Sequence, residues 1–338
     1  MILVTGATGL VGSHLLAKLL QTEQGVKALY RSAPKQALTK KILSYYFAEN
    51  TELYFSKIEW VQADITDIPA LNTAFNGVSQ VYHCAGLISF DPSDELQLRK
   101  INIEGTANVV NLCLAFKVEK LCHVSSIAAL GKELSEKPIT EDTLFEGDGK
   151  HSDYAITKFG GEMEVWRGSQ EGLEVVIVNP GIIIGPGDWD HGSGLLFKKI
   201  ASGLNYYFPK ITGFVAVEDV AKAMVGLMQK PMKNNRYILV GENLSFKTLF
   251  FEIAKSLKKK TPSKKLRPWM VFLGWIFQWI GNKLVGIKRQ VSKESIKGLF
   301  ETSIYSSSKI KKELDFEFFP IESCIQKTGK LFLKEQTN

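Results

Sequence analysis

Over its first 180 residues the chain alternates short apolar runs with longer stretches patterned at helical spacing. The runs are ILVTG (2–6), VKALY (26–30), IEWVQAD (58–64), QVYHCAG (80–86), KLCHVSS (120–126) and LEVVIVNP (173–180). They are apolar or β-branched, and end in turn or polar residues, the signature of strands covered on both faces. Between them lie helix-like stretches such as LVGSHLLAKLLQTEQG (10–25) and LQLRKINIEGTANVVNLCLAFK (96–117). In the second, Ile101, Val109, Leu112 and Phe116 recur at helical spacing. The alternation predicts an α/β domain with a doubly wound parallel sheet. After Pro180 the pattern loosens into a strand-like RYILVG (236–241), a helical SFKTLFFEIAKSLKKK (245–260) and a Trp-rich segment. The expected division is a main domain over 1–180, to which 214–240 returns, and a small, mostly helical lobe from 181–213 and 241–338.

Composition narrows the class. Hydrophobic residues make up 45% and charged residues 23% of the 338 positions, ordinary for a globular protein. The net charge of +7 gathers late, in KSLKKKTPSKKLRP (255–268) and Lys288–Arg289, rather than in a stripe for nucleic acid, so no nucleic-acid partner is expected. Cys84, Cys113, Cys122 and Cys324 show neither CxxC spacing nor clustering with histidine, which excludes a recognisable metal site and suits a reducing compartment. The opening MILVTGATGL carries no basic leader region, and no apolar run approaches the ~20 residues that span a bilayer. The expected location is the cytoplasm.

VTGATGLVGSHL (4–15) places Gly6, Gly9 and Gly12 directly after the first strand and at the opening of the first helix. Glycines suit that position because the backbone must turn tightly and approach a pyrophosphate at a helix N-terminus. About twenty residues on, a dinucleotide-binding unit reads the ribose, and an acidic residue there selects NAD. Here the second strand runs into Tyr30-Arg31, with Lys35 following. A guanidinium suits a 2′-phosphate, which favours NADP(H) and leaves NAD(H) open.

YAITK (154–158) sets Tyr154 and Lys158 four residues apart, on one helical face. A tyrosine titrating near pH 10 needs help to exchange protons at neutrality, and an adjacent ammonium supplies it. The fifth strand ends in HVSSIAALG, where Ser126 offers a neutral donor to a carbonyl oxygen.

TGATGLVG, ADITD, HCAG, NIEGT, VSSIAALG, YAITK, NPGIIIGPGD, FVAVEDVAKAM and RYILVGEN occur in that order along nearly the whole chain. In them the sequence resembles the extended short-chain dehydrogenases/reductases of the NAD-dependent epimerase/dehydratase family. The resemblance implies a Rossmann-type sheet with a C-terminal substrate lobe. It makes Tyr154 the general acid/base, Lys158 the residue that holds the nicotinamide ribose and lowers the tyrosine pKa, and Ser126 the donor orienting the reacting oxygen. Ser125 becomes a supporting donor and Asn102 a residue that knits neighbouring segments together. The implied cofactor contacts are Gly6, Thr8, Gly9, Leu10, Val11 and Gly12 in the loop, Arg31, Asp64 and Ile65 towards the adenosine, Ala85 and Gly86 at the cofactor's middle, and Tyr154, Lys158, Pro180 and Ile183 towards the nicotinamide. It also allows a homodimer.

Members acting on nucleotide-sugars often carry an arginine or aromatic residue just before the Asn-Pro of strand six. Val176, Ile177 and Val178 stand there instead, and the stretch is closer to the dihydroflavonol 4-reductase-like branch. The expected activity is therefore NADP-dependent reduction of a small apolar or aromatic carbonyl compound, with a nucleotide-sugar epimerase or dehydratase as the alternative and a non-catalytic dinucleotide sensor as a third reading. In RPWMVFLGWIFQWIGNKLVGIKR (267–289), Trp269, Phe272, Leu273, Ile276, Trp279 and Ile280 form a broad apolar stripe. A core helix of the small lobe is the favoured reading, and peripheral membrane contact through the basic-flanked stripe the other. His83 reads as a packed core histidine. His151 and His191 fall in loops bordering the site, and Arg236 reads as a phosphate ligand or an exposed strand residue.

Overall fold

A computed structural model describes residues 1–22, 25–132, 137–146, 151–274 and 298–336. Its strands are β1 (Ile2–Thr5), β2 (Val26–Tyr30), β3 (Ile58–Gln62), β4 (Gln80–His83), β5 (Lys120–Val124), β6 (Glu174–Pro180), β7 (Ile182–Ile184), β8 (Tyr206–Tyr207), β9 (Ile211–Ala216), β10 (Asn235–Leu239), β11 (Glu242–Ser245) and β12 (Lys264–Lys265). Among the helices, α1 (Leu10–Leu19), α2 (Gln36–Phe47), α3 (Thr51–Ser56), α4 (Ile68–Ala74), α5 (Glu95–Arg99), α6 (Gly105–Ala115) and α7 (Asp153–Gln170) belong to the first half. The second half adds α8 (Gly194–Ala201), α9 (Val217–Gln229), α10 (Phe246–Ser256), α11 (Ser308–Leu314) and α12 (Ile321–Gln336).

Seven parallel strands form one sheet in the order β10-β6-β5-β4-β1-β2-β3. The order reverses between β1 and β4, and in such doubly wound Rossmann-type sheets the crevice beyond the strand ends at that point receives ligands. Side chains alternate between two cores. Val4, Ala28, Val176 and Val178 face α1, α2 and α9, whereas Leu3, Leu29, Val175 and Ile177 face α4, α6 and α7. Burial on both faces is why the six N-terminal runs read as continuously apolar. Val176, Ile177 and Val178 are fully enclosed, and their aliphatic character serves the two cores.

After β6 the chain leaves the main sheet. Strands β11, β9 and β7 make a second small sheet, and β12 pairs with β8 in a third. A separate core of Phe197, Phe214, Phe246, Leu249, Phe250, Ile325 and Phe332 holds this lobe together. Helix α9 packs on α1 and β10 joins the edge of the main sheet beside β6. Ile310 and Phe316 also enter the main sheet's core, so the chain beyond 241 is shared between both halves rather than confined to the lobe.

The Trp-rich stripe departs from the core-helix reading over its described part. A helical turn at 268–274 buries Val271 but leaves Trp269 at 58%, Phe272 at 46% and Leu273 at 44% exposed. The rest of the stripe, 275–289, lies outside the described residues.

Candidate active site

The glycine loop is built for close approach. Gly6 has φ +64, and a Cβ there would lie 2.5 Å from the Ala85 nitrogen; a Cβ on Gly12 would meet the Gly6 carbonyl at 2.2 Å. Both positions therefore exclude any side chain. The loop lets α1 begin, without an acidic residue in its first turn, at the rim of a cleft. That cleft is lined by Gly6, Thr8, Gly9, Arg31, Lys35, Asp64, Ile65, Cys84, Ala85, Gly86 and Ile101, among others. A helix N-terminus, two cations at one end and bare glycine backbone along the floor fit a dinucleotide. Gly12, by contrast, is buried behind the loop, Pro180 ends β6 in the interior, and Ile183 sits in β7 opposite Val215. Burial pushes the Cys84 thiol up to about 12, so this cysteine is no nucleophile.

Asp64 accepts from the Thr66 amide at 2.9 Å and hydroxyl at 2.8 Å, and its other oxygen lies 3.7 Å from Arg31. The Arg31 side chain is 54% exposed.

Ser126, Tyr154 and Lys158 converge beyond Gly86. Ser126 lies at the β5 exit, its Oγ accepting from the Ala128 amide at 3.1 Å, and its side chain reaches the Tyr154 phenol. Ser152 caps α7 by accepting from the Ala155 amide, which fixes where Tyr154 enters the helix. Lys158 is buried one turn on and donates to the Val124 carbonyl at 2.8 Å. A Cβ on Gly86 would stand 3.9 Å from its Nζ, so the ammonium sits where the cleft ends.

Burial raises the Tyr154 pKa, with the Ser126 contact only partly offsetting it. Lys158 is itself lowered to about 8 by burial, against a pull upward from Glu162. The Lys158 ammonium is turned to the Val124 carbonyl. The phenol stays protonated at neutral pH, the form that donates a proton to a developing alkoxide.

Asn102 knits loop to helix. It lies in a π-turn (Lys100–Glu104) between α5 and α6, accepts from the Leu87 amide at 2.7 Å, and donates to the Leu87 carbonyl and to Thr157. His83 is the packed histidine expected, held by Thr5 at 2.7 Å and Thr106 at 2.9 Å. His151 stacks on Phe145 at 3.9 Å, and His191 pairs with Asp188 at the surface.

Arg236 is neither an exposed residue nor a phosphate ligand. Its side chain is 14% exposed and pairs at 3.0 Å with Glu162, whose side chain is wholly buried. Glu162 also accepts from Ser125 at 2.8 Å and Asn179 at 2.9 Å, and Asn179 donates in turn to the Ser126 carbonyl at 3.0 Å. Arg236 adds bonds to the carbonyls of Glu141 and Thr143. Sequence reasoning missed Glu162. The available signal was a further helical step, since Tyr154, Lys158 and Glu162 repeat at four-residue intervals on α7.

Among the described residues no group of three or more His, Cys, Asp or Glu side chains could hold a metal ion, and no helix is long and apolar enough to cross a membrane.

Comparison with known proteins bears on this geometry. The model of the NAD dependent epimerase/dehydratase family matches residues 2–241. The sterol demethylase protein B of Methylococcus capsulatus is 29% identical over 71% of this chain and 70% of its own. A putative dihydroflavonol 4-reductase of Synechocystis is 24% identical over 92% of this chain and 88% of its own. The crystal structure of gox2253 superposes with a TM-score of 0.81 at 27% identity, covering 99% of this chain and 98% of that one.

Proposed function

Because the chain belongs to the NAD dependent epimerase/dehydratase family, and so is an NAD(P)-dependent enzyme of the extended short-chain dehydrogenase/reductase type, we propose that it reduces the carbonyl of a small apolar or aromatic substrate with NADPH. The observation that carries this reading is the exposed Phe90 ring beside the phenol. The ring of Phe90 stands edge-on to Tyr154 at 5.7 Å. Phe90 is 52% exposed, Ile88 two residues earlier 66%, and Leu144, next to Gly131 at the end of the Ser126 loop, 79%. An open aromatic ring beside the phenol favours an uncharged ring system over a phosphorylated sugar. The two relatives above are named for a sterol and a dihydroflavonol.

In this reading Tyr154 protonates the carbonyl oxygen, Ser126 holds that oxygen, and Lys158 orients the ribose. The bound nicotinamide supplies the hydride, and the protein supplies position and proton. Arg31 and Lys35 take the 2′-phosphate. An intact Ser126–Tyr154–Lys158 set weighs against a non-catalytic sensor.

Two measurements test the proposal. NADPH oxidation across aldehyde and ketone panels should show turnover that falls about 10²–10⁴-fold in Tyr154→Phe; full activity in that variant would remove Tyr154 from its role. Thermal shifts of the NADP-loaded protein with UDP, GDP and dTDP should be absent. A saturable shift with one of them would move the assignment to nucleotide-sugar chemistry.

A further inference from the structure

The substrate lobe carries a surface that the catalytic reading leaves unused. Lys258, Lys259, Lys260, Lys264, Lys265 and Arg267 are all exposed, and the sequence holds no aspartate or glutamate between Glu252 and Glu294. Among the described residues no carboxylate pairs with any of these six; the neighbouring Lys255 is the one engaged, by Glu252 and Glu322. The cations run directly into the helical turn at 268–274, where Pro268 opens the helix and Met270 and Val271 close back on the Arg267 carbonyl. Trp269 and Leu273, one helical turn apart, are 58% and 44% exposed on this turn, with Phe272 between them at 46%.

Beside it lies a second aromatic and basic array. Strand β12 pairs Lys264 with Tyr206 and Lys265 with Tyr207. The Lys264 ammonium lies 5.7 Å from the Tyr206 ring centre, and Lys247 lies 5.4 Å from Tyr207 and 5.5 Å from Phe251. Tyr206 is 36% exposed. Uncompensated cations flanking an exposed tryptophan and leucine, with tyrosines alongside, are the pattern that settles at the headgroup level of an anionic bilayer. The charge fixes the choice of occupant: a second copy of this chain would bring the same cations into register and repel, whereas anionic lipid neutralises them.

We propose that this face, built on β8, β12 and the turn at 268–274, docks the protein peripherally on an anionic lipid surface. Trp269 and Leu273 enter the interface and the lysines contact the headgroups, while the enzyme body remains in water.

The experiment is flotation of the full chain with phosphatidylcholine vesicles with and without phosphatidylglycerol. Binding should require the anionic lipid and weaken with salt. At about 1 kcal/mol per cation near the surface, replacing three lysines (Lys259→Gln, Lys260→Gln, Lys265→Gln) should lower partitioning roughly a hundredfold. Trp269→Ser with Leu273→Ser should lower it roughly tenfold. All these side chains are exposed, so cofactor affinity and melting temperature should be unchanged in both variants and serve as the control for folding. Failure of the full chain to float with anionic vesicles overturns the proposal, as does binding that survives both sets of substitutions. Concentration-dependent self-association abolished by Trp269→Ser would instead give the face to a second copy.

Discussion

Two arginine–carboxylate pairs lie at opposite ends of the site, and their surroundings give them opposite uses. Arg31 meets Asp64 at 3.7 Å with both side chains open to water. Arg236 meets Glu162 at 3.0 Å with the carboxylate fully enclosed. A pair in water is held loosely, contributing about 0–1 kcal/mol, and either partner can be recruited by an incoming charge. A buried pair cannot be separated, because each partner strands the other in a medium that does not solvate it. The first pair is therefore free to serve a ligand. The second holds Ser125 and Asn179, and through Asn179 the backbone of Ser126, under helix α7. Burial, not residue type, separates an arginine open to an incoming charge from a scaffolding one.

The largest effect should come from breaking the buried pair. Glu162→Ala, or Arg236→Ala, should cost about 3–5 kcal/mol in urea unfolding, since the partner is left charged and buried. Glu162→Ala also frees Ser125 and Asn179. Replacing both residues with apolar ones of similar volume should recover part of the loss, because no charge is then stranded while Ser125 and Asn179 stay without their acceptor. A single substitution costing less than about 1 kcal/mol would place this pair in the same class as Arg31–Asp64 and end the distinction.

The next effect separates the pairs by ligand rather than by stability. Arg31→Ala should leave unfolding within about 1 kcal/mol of the parent. It should raise the NADP dissociation constant about 10–100-fold, the worth of a hydrogen bond to a charged group, and leave NAD nearly unaffected. Calorimetric titration with both cofactors reads this directly. Equal losses for the two would remove the 2′-phosphate from Arg31.

Much of this was legible in the chain because it is local. Six apolar runs became β1 to β6, the glycine loop declared itself by its place between strand and helix, and Tyr154 and Lys158 stand one turn apart on any helix. Long-range matters were not legible. Arg236 finds Glu162 across 74 positions, and only the register of β10 against β6 brings them together. No sequence pattern states that register. The aliphatic run Val176–Val178 reads two ways for a related reason: a strand covered on both faces and a strand exit facing an apolar substrate look the same until the layers are placed. Exposure of Trp269 and Leu273 was equally hidden, because an apolar stripe is written identically whether a core or a lipid surface receives it.

The smallest prediction tests the exposed pair from its other side. Burial alone would raise the Asp64 pKa, but the two Thr66 bonds and then Arg31 hold the carboxyl below its usual value. A depressed carboxylate contributes stability above its unfolded pKa of about 3.9, and that contribution is lost as pH falls through the folded value. Asp64→Asn keeps an oxygen for the Thr66 amide and hydroxyl while removing the charge. At neutral pH it should lose that small contribution, about 0–1 kcal/mol for so exposed a pair, and below about pH 4 its unfolding should depend less steeply on acid than that of the parent. Without a carboxylate competing for Arg31, NADP should bind a few-fold tighter at low salt, and the gain should shrink as salt screens the site. If Asp64→Asn instead weakens NADP, the carboxylate is orienting Arg31 for the phosphate. The exposed pair would then be a positioned device like the buried one, and water alone would not be what frees an arginine for a ligand.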